Sequence, residues 1–427
     1  MSSMGPRTWL QCDACGTTHD ELTAATRCPA CGGLLAVRHA PPAMRAAELR
    51  RQFADPEHGR PESRASGVWR FQELVLPTAT SPVSHPEGNT PLLERRSVSG
   101  FAGLASLLLK HEGHNPTGSF KDRGMTVAVT QAVRVGASAV ACASTGNTSA
   151  SLAAYAAQAG CKALVFVPRD GIALGKLAQS LAYGATTLLV RGNFDACLRL
   201  VESASRELGV YLANSINPFR IEGQKTIVLE LLQQLGWDAP DWIAVPAGNL
   251  GNTAAFGKAL VEAHALGLID RIPRIAAVQA AGAAPFALGY AEGFAQRRTV
   301  TPETVATAIR IGDPASWDRG VRTMIDTNGV VLAVPDEELL DAKAVIDRSG
   351  VGCEPASAAS VAGVRRLVQA GVIAPDARVV AVLTGHVLKD PGILIDYHRT
   401  QEPAPPRANR PIEIEPDLGA VERVLRS

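Results

Sequence analysis

This sequence has no long hydrophobic run. Nowhere in its 427 residues does an apolar stretch approach the ~20 residues that a helix needs to span a bilayer, which excludes a membrane-crossing helix. Residues 1–9 carry no apolar signal core and lead straight into a cysteine motif, so the protein is expected to stay in the cytoplasm with no membrane partner. An excess of either charge is also missing. The formal net charge is +1 and only 19% of residues are charged, which argues against a nucleic-acid partner held by counterion release. Apolar material is plentiful, at 46% of the chain, enough for a large core spread over two or three domains at this length.

The stretch 41–86 is polar and contains Pro and Arg, with one short helix expected over 43–53, and the last segment, 401–427, is rich in Pro and charge. Between them short apolar runs alternate with longer amphipathic ones. Strands are expected over 106–110, 139–143, 162–168, 186–190, 211–213, 242–246, 275–278 and 378–383. Helices are expected over 119–134, 148–159, 173–183, 194–208, 224–235 and 253–266. Such alternation means βαβ units and parallel sheets covered by helices, an α/β fold. Sheets of this kind bind ligands in the loops that leave the carboxyl ends of their strands.

Four of the eight cysteines form a C-x2-C-x12-C-x2-C pattern: Cys12 and Cys15, then Cys28 and Cys31. Two such knuckles supply four thiolates for a closed tetrahedral zinc site, which leaves no open position for catalysis and makes the ion structural. Gly16 and Gly32-Gly33 follow the pairs, where tight knuckle turns need residues tolerant of unusual backbone angles. A ribbon that has lost its metal, or a pair of redox dithiols, is the competing reading. Cys142, Cys161, Cys197 and Cys353 lie in apolar or small-residue surroundings and read as free core thiols.

The strand over 106–110 runs into Asn115-Pro-Thr-Gly-Ser-Phe-Lys121-Asp-Arg-Gly124. Ser119 is a fair N-cap, which sets Lys121 in the first helical turn, beside the positive end of the helix dipole. That position and desolvation both lower a lysine pKa, as a Schiff-base lysine requires. Taken alone, a lysine at a helix start reads as a solvated surface charge. Three other strand ends carry matching chemistry. Ser144-Thr145-Gly146-Asn147-Thr148 gathers hydroxyls, an amide and helix N-terminal N–H groups into an anion pocket. Gly248-Asn249-Leu250-Gly251-Asn252 is a glycine-rich anion loop without the Gly-Lys-Ser/Thr of a P-loop. Thr384 ends the strand over 378–383 and is followed by Gly385-His386.

The ten residues around Lys121 closely resemble the cofactor-lysine signature of the fold-type-II pyridoxal-phosphate (PLP) enzymes, the tryptophan synthase β family, as its threonine synthase branch writes it. The resemblance runs from the ribbon to about residue 394. It implies that Lys121 holds PLP and that 248–252 cradle the PLP phosphate. It further implies that 144–148 grip the substrate carboxylate and that Asn147 bonds the ring oxygen. At Thr384 the family sets a neutral hydroxyl or thiol against the pyridine nitrogen, which leaves that nitrogen largely unprotonated and the ring a mild electron sink. Two lobes are expected: a small mobile one over 130–212, and a large one over 41–129 and 213–400, with the ribbon over 1–40, a tail over 401–427 and a homodimeric assembly.

The segment Asn214-Ser215-Ile-Asn217-Pro-Phe-Arg220-Ile-Glu-Gly-Gln-Lys225 brings amides, a hydroxyl, an arginine and a lysine into one expected turn, and Arg is a planar donor fork suited to phosphate. It resembles the stretch with which threonine synthases hold the phosphate of O-phosphohomoserine, with Asn214, Ser215 and Arg220 at the matching positions. The implied activity is a lyase that converts O-phosphohomoserine and water to threonine and phosphate. A cysteate synthase that takes O-phosphoserine and sulfite, a threonine dehydratase, and a non-catalytic ribbon module on a degenerate enzyme fold are the alternatives. The intact Lys121 and anion loops speak against the last.

Overall fold

The computed structural model describes residues 7–58, 61–169, 177–400 and 402–426. Strands Thr8–Cys12, Thr18–Asp20 and Leu35–His39 form a three-stranded antiparallel ribbon. Its two turns carry the four cysteines. Gly16 and Gly32 adopt φ of 74° and 75° there, and a Cβ on Gly33 would lie 2.9 Å from Cys12 Sγ.

A six-stranded sheet is the main body. Across it the strands run Val330–Val334, Arg274–Ala280, Trp242–Pro246, Val379–Leu383, Leu107–His111 and Leu92–Glu94. Five are parallel and Leu92–Glu94 closes one edge antiparallel. A second sheet, inserted in the chain after Leu107–His111, holds four parallel strands in the order Thr186–Val190, Lys162–Pro168, Ala139–Ala143 and Tyr211–Leu212. The strands Ala139–Ala143, Trp242–Pro246 and Val379–Leu383 are buried at every residue, so they read as unbroken apolar runs rather than alternating ones. In these two sheets, two strands fall outside the expected set: Leu92–Glu94 is too short to show a period, and Val330–Val334 is a half-buried edge. Among the described residues no helix is long and apolar enough to cross a membrane.

Two expected helices need correction. The one expected over 173–183 falls partly outside the described residues, and Ala178–Ala182 is helical. The one expected over 224–235 begins earlier and is broken: Pro218–Gln224 and Thr226–Gln234 are separate helices. Asn217-Pro218 starts a helix rather than a turn, with Asn217 Oδ1 accepting the Phe219 N–H at 3.0 Å and Pro at the first helical position.

The helix Lys121–Arg134 packs on Pro218–Gln224 through glycine. A Cβ on Gly223 would come within 1.8 Å of Arg123 O, and one on Gly124 within 3.0 Å of Arg220 O. Backbone therefore meets backbone, which fixes Lys121 against Arg220. Beneath this crossing lies a fully buried ion network. Arg123 donates to Glu112 (2.7 and 2.8 Å) and to Glu230 (2.8 Å), and Lys110 donates to Glu230 at 2.6 Å. Burial alone would raise the Glu230 carboxyl, but Arg123 and Lys110 hold it well below the usual carboxylate range. Two cations and two anions balance, as buried charges must.

Candidate active site

A cavity of about 1430 Å³ is lined by Lys121, by 144–148, by Asn214, Ser215 and Arg220, by 248–252 and by Thr384. All the residues expected at the cofactor and substrate sites thus share one space. The 144–148, 248–252 and 384 loops leave the carboxyl ends of Ala139–Ala143, Trp242–Pro246 and Val379–Leu383, where an open parallel sheet presents its ligand site.

Lys121 opens the helix Lys121–Arg134. Burial, and then the positive charge of Arg220, bring its ammonium down to about 7, against a smaller opposing pull from Glu354. Its Nζ sits 4.0 Å from the centre of the Phe120 ring. The expected N-cap is loose, with Ser119 Oγ 3.4 Å from Lys121 N. What holds the loop is pairing with the neighbouring strand end: Phe120 N–H donates to Thr384 O at 3.0 Å and His386 N–H to Gly118 O at 2.9 Å. Asp122 is turned away, accepting from Thr117 N–H (2.7 Å), Thr117 Oγ1 (2.7 Å) and Ser151 Oγ (2.6 Å).

At the 248–252 loop Leu250 takes φ of 61° and precedes the helix Gly251–Ala265, which has no side-chain cap. Left-handed backbone at a non-glycine is strained and turns the N–H groups that follow toward one point. Around it Asn252 Oδ1, Thr253 Oγ1, Ser316 Oγ and Gln224 Oε1 are buried without hydrogen-bond partners. Uncapped helix N–H groups and unpaired hydroxyls are the donor set a phosphate takes. The 144–148 loop is half-buried. Ser144 Oγ accepts from Gly146 N–H at 3.2 Å, and the helix Asn147–Ala159 starts without a side-chain cap.

Arg220 is 1% exposed. Its Nη1 donates to Ala213 O at 3.1 Å, while Nε and Nη2 are buried with no partner. Among the described residues no carboxylate pairs with it, and burial brings it down to about 10. An uncompensated buried guanidinium facing a cavity calls for an anion. Ser215 lies beside it in the lining. The Asn214 amide is occupied: its Oδ1 accepts from Ala143 N–H at 3.0 Å and its Nδ2 donates to Ala143 O at 3.1 Å, bracing the 144–148 loop. Two further residues of the expected donor turn are not in the cavity. Asn217 caps its helix, and Lys225 pairs with Glu222 (2.6 Å) and Glu262 (2.7 Å).

The residue that sequence reasoning passed over is Glu354, 3% exposed and in the lining. Its carboxylate accepts from Asn147 Nδ2 at 2.8 Å and from Thr384 Oγ1 at 2.8 Å. A Glu before Pro355 at the start of a helix looks like a helix-start signal, which hides it.

In the ribbon the four cysteine sulfurs lie within 4.8 Å of one another. Arg319 Nε donates to Asp13 Oδ2 at 2.6 Å and His39 Nε2 lies 3.1 Å from Glu222 Oε2, so the ribbon is tied to the main body and to the helix that carries Arg220.

A lysine amine brought near neutrality, a phosphate cradle and a polar sheet-end residue on adjacent strands fit pyridoxal phosphate. The family profile described as pyridoxal-phosphate dependent enzyme matches residues 83–385, and the chain belongs to that family. Threonine synthase from Methanocaldococcus jannaschii is 42% identical over 423 residues, 97% of this chain and 99% of that one. Threonine synthase from Mycobacterium tuberculosis is 48% identical over 327 residues, 76% of this chain and 88% of that one. Within the family the chain therefore stands among the threonine synthases. The crystal structure of threonine synthase from Escherichia coli superposes with a TM-score of 0.68 at 19% identity, covering 98% of this chain and 99% of that one, a likeness of fold.

Proposed function

We propose that this protein converts O-phospho-L-homoserine and water to L-threonine and phosphate, with pyridoxal phosphate held by Lys121. The observation that carries the choice of substrate is Arg220: a buried cation with two unpartnered donors, in the same cavity as Lys121. A dehydratase of free threonine has no second anion to place there.

The cofactor, when bound, would supply an electron sink for the charge that develops at the substrate Cα. The 248–252 loop and the helix behind it hold the cofactor phosphate. The 144–148 loop receives the substrate carboxylate at the start of the helix Asn147–Ala159. Arg220 and Ser215 hold the substrate phosphate and stay with it as it leaves Cγ. Lys121 is the base in this cavity: it would remove the Cα proton and then move protons at Cβ, where water adds.

The state of Lys121 makes uptake of the cofactor pH-dependent. Only the neutral amine attacks an aldehyde, and the Lys121 ammonium titrates at about 7. PLP added to the cofactor-free protein is expected to bind roughly tenfold faster at about pH 8 than at about pH 6, with little further gain above. Stopped-flow absorbance measures this. A rate still climbing toward about pH 10 would indicate an ordinary lysine.

We also propose that Cys12, Cys15, Cys28 and Cys31 hold one structural zinc ion. Elemental analysis is expected to give one zinc per chain, and chelation to lower the thermal midpoint while bound cofactor remains. A metal-free preparation of full stability would remove the zinc from the proposal.

A further inference from the structure

The helix Pro218–Gln224 shows Arg220 to the cavity and Glu222 to the other side, since residues two apart on a helix point in nearly opposite directions. Glu222 is fully buried. Lys225 Nζ donates to its Oε2 at 2.6 Å, and His39 Nε2 lies 3.1 Å from the same oxygen. Lys258 Nζ donates to its Oε1. Burial alone would raise the Glu222 carboxyl, but Lys225 and Lys258 hold it far below the usual carboxylate range. With Glu262, which accepts from Lys225 at 2.7 Å, two ammonium groups face two carboxylates. The cluster balances by itself and leaves no charge over for Arg220.

Two of the groups on Glu222 belong to the ribbon or are held by it. His39 ends the strand Leu35–His39. Burial pulls its imidazole below the usual value, so the ring is neutral. Its Nδ1 accepts from Thr8 Oγ1 at 3.0 Å, and its Nε2 carries the proton that goes to Glu222. Lys258 Nζ donates to Val37 O at 2.7 Å. The ribbon reaches the front of this region as well: Gly33 and Leu34 line the cavity that Arg220 faces, and Leu34 packs against the core cluster that holds Ile216.

We infer that His39 is a positioning residue for the substrate-phosphate site: acting through Glu222, the ribbon strand anchors the outer face of the helix Pro218–Gln224 and so fixes the direction in which Arg220 points. The inference rests on the assignment of Arg220 to the substrate phosphate. A brace is needed because the Arg220 side chain has a single hydrogen bond among the described residues, from Nη1 to Ala213 O at 3.1 Å. A buried guanidinium held so lightly is drawn toward any water or carboxylate that a slackened helix lets it reach.

The test is calorimetric titration of the holoenzyme with inorganic phosphate alone, paired with KM for O-phosphohomoserine. His39→Ala is expected to bind phosphate on the order of tenfold more weakly and to raise KM in step, because a displacement of about 1 Å is enough for such a loss. The visible absorbance of bound PLP should stay at the wild-type level. Lys258→Met removes the other link between the ribbon and Glu222, and decides the same question should His39→Ala fail to fold. Ile373→Ala, in the core on the opposite face of the six-stranded sheet, controls for general loosening: it should lower the thermal midpoint and leave phosphate binding unchanged. Wild-type phosphate affinity in the ribbon variant, with affinity lost in Arg220→Ala, overturns the inference and leaves the phosphate assignment standing. Equal weakening in Ile373→Ala, or loss of PLP in parallel with phosphate, reduces the ribbon to a general stabiliser and also overturns it. Phosphate bound by Arg220→Ala as tightly as by the wild type overturns the phosphate assignment itself, and the inference with it.

Discussion

Lys121→Ala is expected to lose turnover of O-phosphohomoserine by on the order of 10³-fold or more, since it removes both the covalent attachment and the proton carrier. The visible absorbance of the lysine-bound cofactor should vanish with it, and borohydride should trap no adduct. The fold should survive. The Lys121 ammonium is desolvated and repelled by Arg220, and its Nζ lies against the Phe120 ring at 4.0 Å, so its loss orphans no buried acceptor. An unchanged thermal midpoint would exclude collapse of the site as the cause. A variant that kept the trapped adduct and a normal rate would take Lys121 out of the mechanism.

Arg220→Ala should separate substrate from cofactor. Losing a charge-assisted contact to the phosphate is expected to cost about 2–4 kcal/mol of transition-state binding, roughly 30- to 1000-fold in kcat/KM. Bound PLP should be unaffected, because its phosphate is assigned to the 248–252 loop. Stability should change little: no carboxylate is left behind, and Ala213 O loses one donor at 3.1 Å. Normal turnover of O-phosphohomoserine by this variant would move the substrate phosphate elsewhere. A wild-type preference for free threonine would point to a dehydratase, and a need for O-phosphoserine and sulfite to a cysteate synthase.

The parts of the site legible in the sequence are those written locally. The 144–148 and 248–252 loops and Thr384 each follow a buried apolar strand within two residues, and Lys121 follows one by ten, so strand end and loop are read together. Phe194–Leu208 and Thr186–Val190 fall on their expected bounds, since a Gly and an Asn cap mark the one and Gly-rich turns the other. Two things escaped. The Asn214–Lys225 stretch reads as a cluster of donors because each residue is polar, but the helix beginning at Pro218 turns Arg220 and Lys225 to different neighbours, and periodicity over so few residues does not reveal it. Glu354 is 207 residues from Asn147 and 30 from Thr384. Its role exists only where three separate chain segments meet, and no local pattern encodes such a meeting.

The order of strands in the six-stranded sheet bears on how the protein is made. Val379 pairs with Leu107 and also with Trp242, so the strand carrying Thr384 joins two halves of the sheet synthesised long before it. Until the ribosome has delivered that strand, the halves on either side lack their shared neighbour and show unpaired edges to solvent. Pairings so distant in sequence form slowly, and chains of this size expose sticky surface while they wait. The inserted four-stranded sheet is complete by Leu212 and has no such wait. The larger sheet, and with it the cavity that opens at its strand ends, is therefore the last part to close, and a nascent chain released before Val379 lacks the strand that joins its two halves.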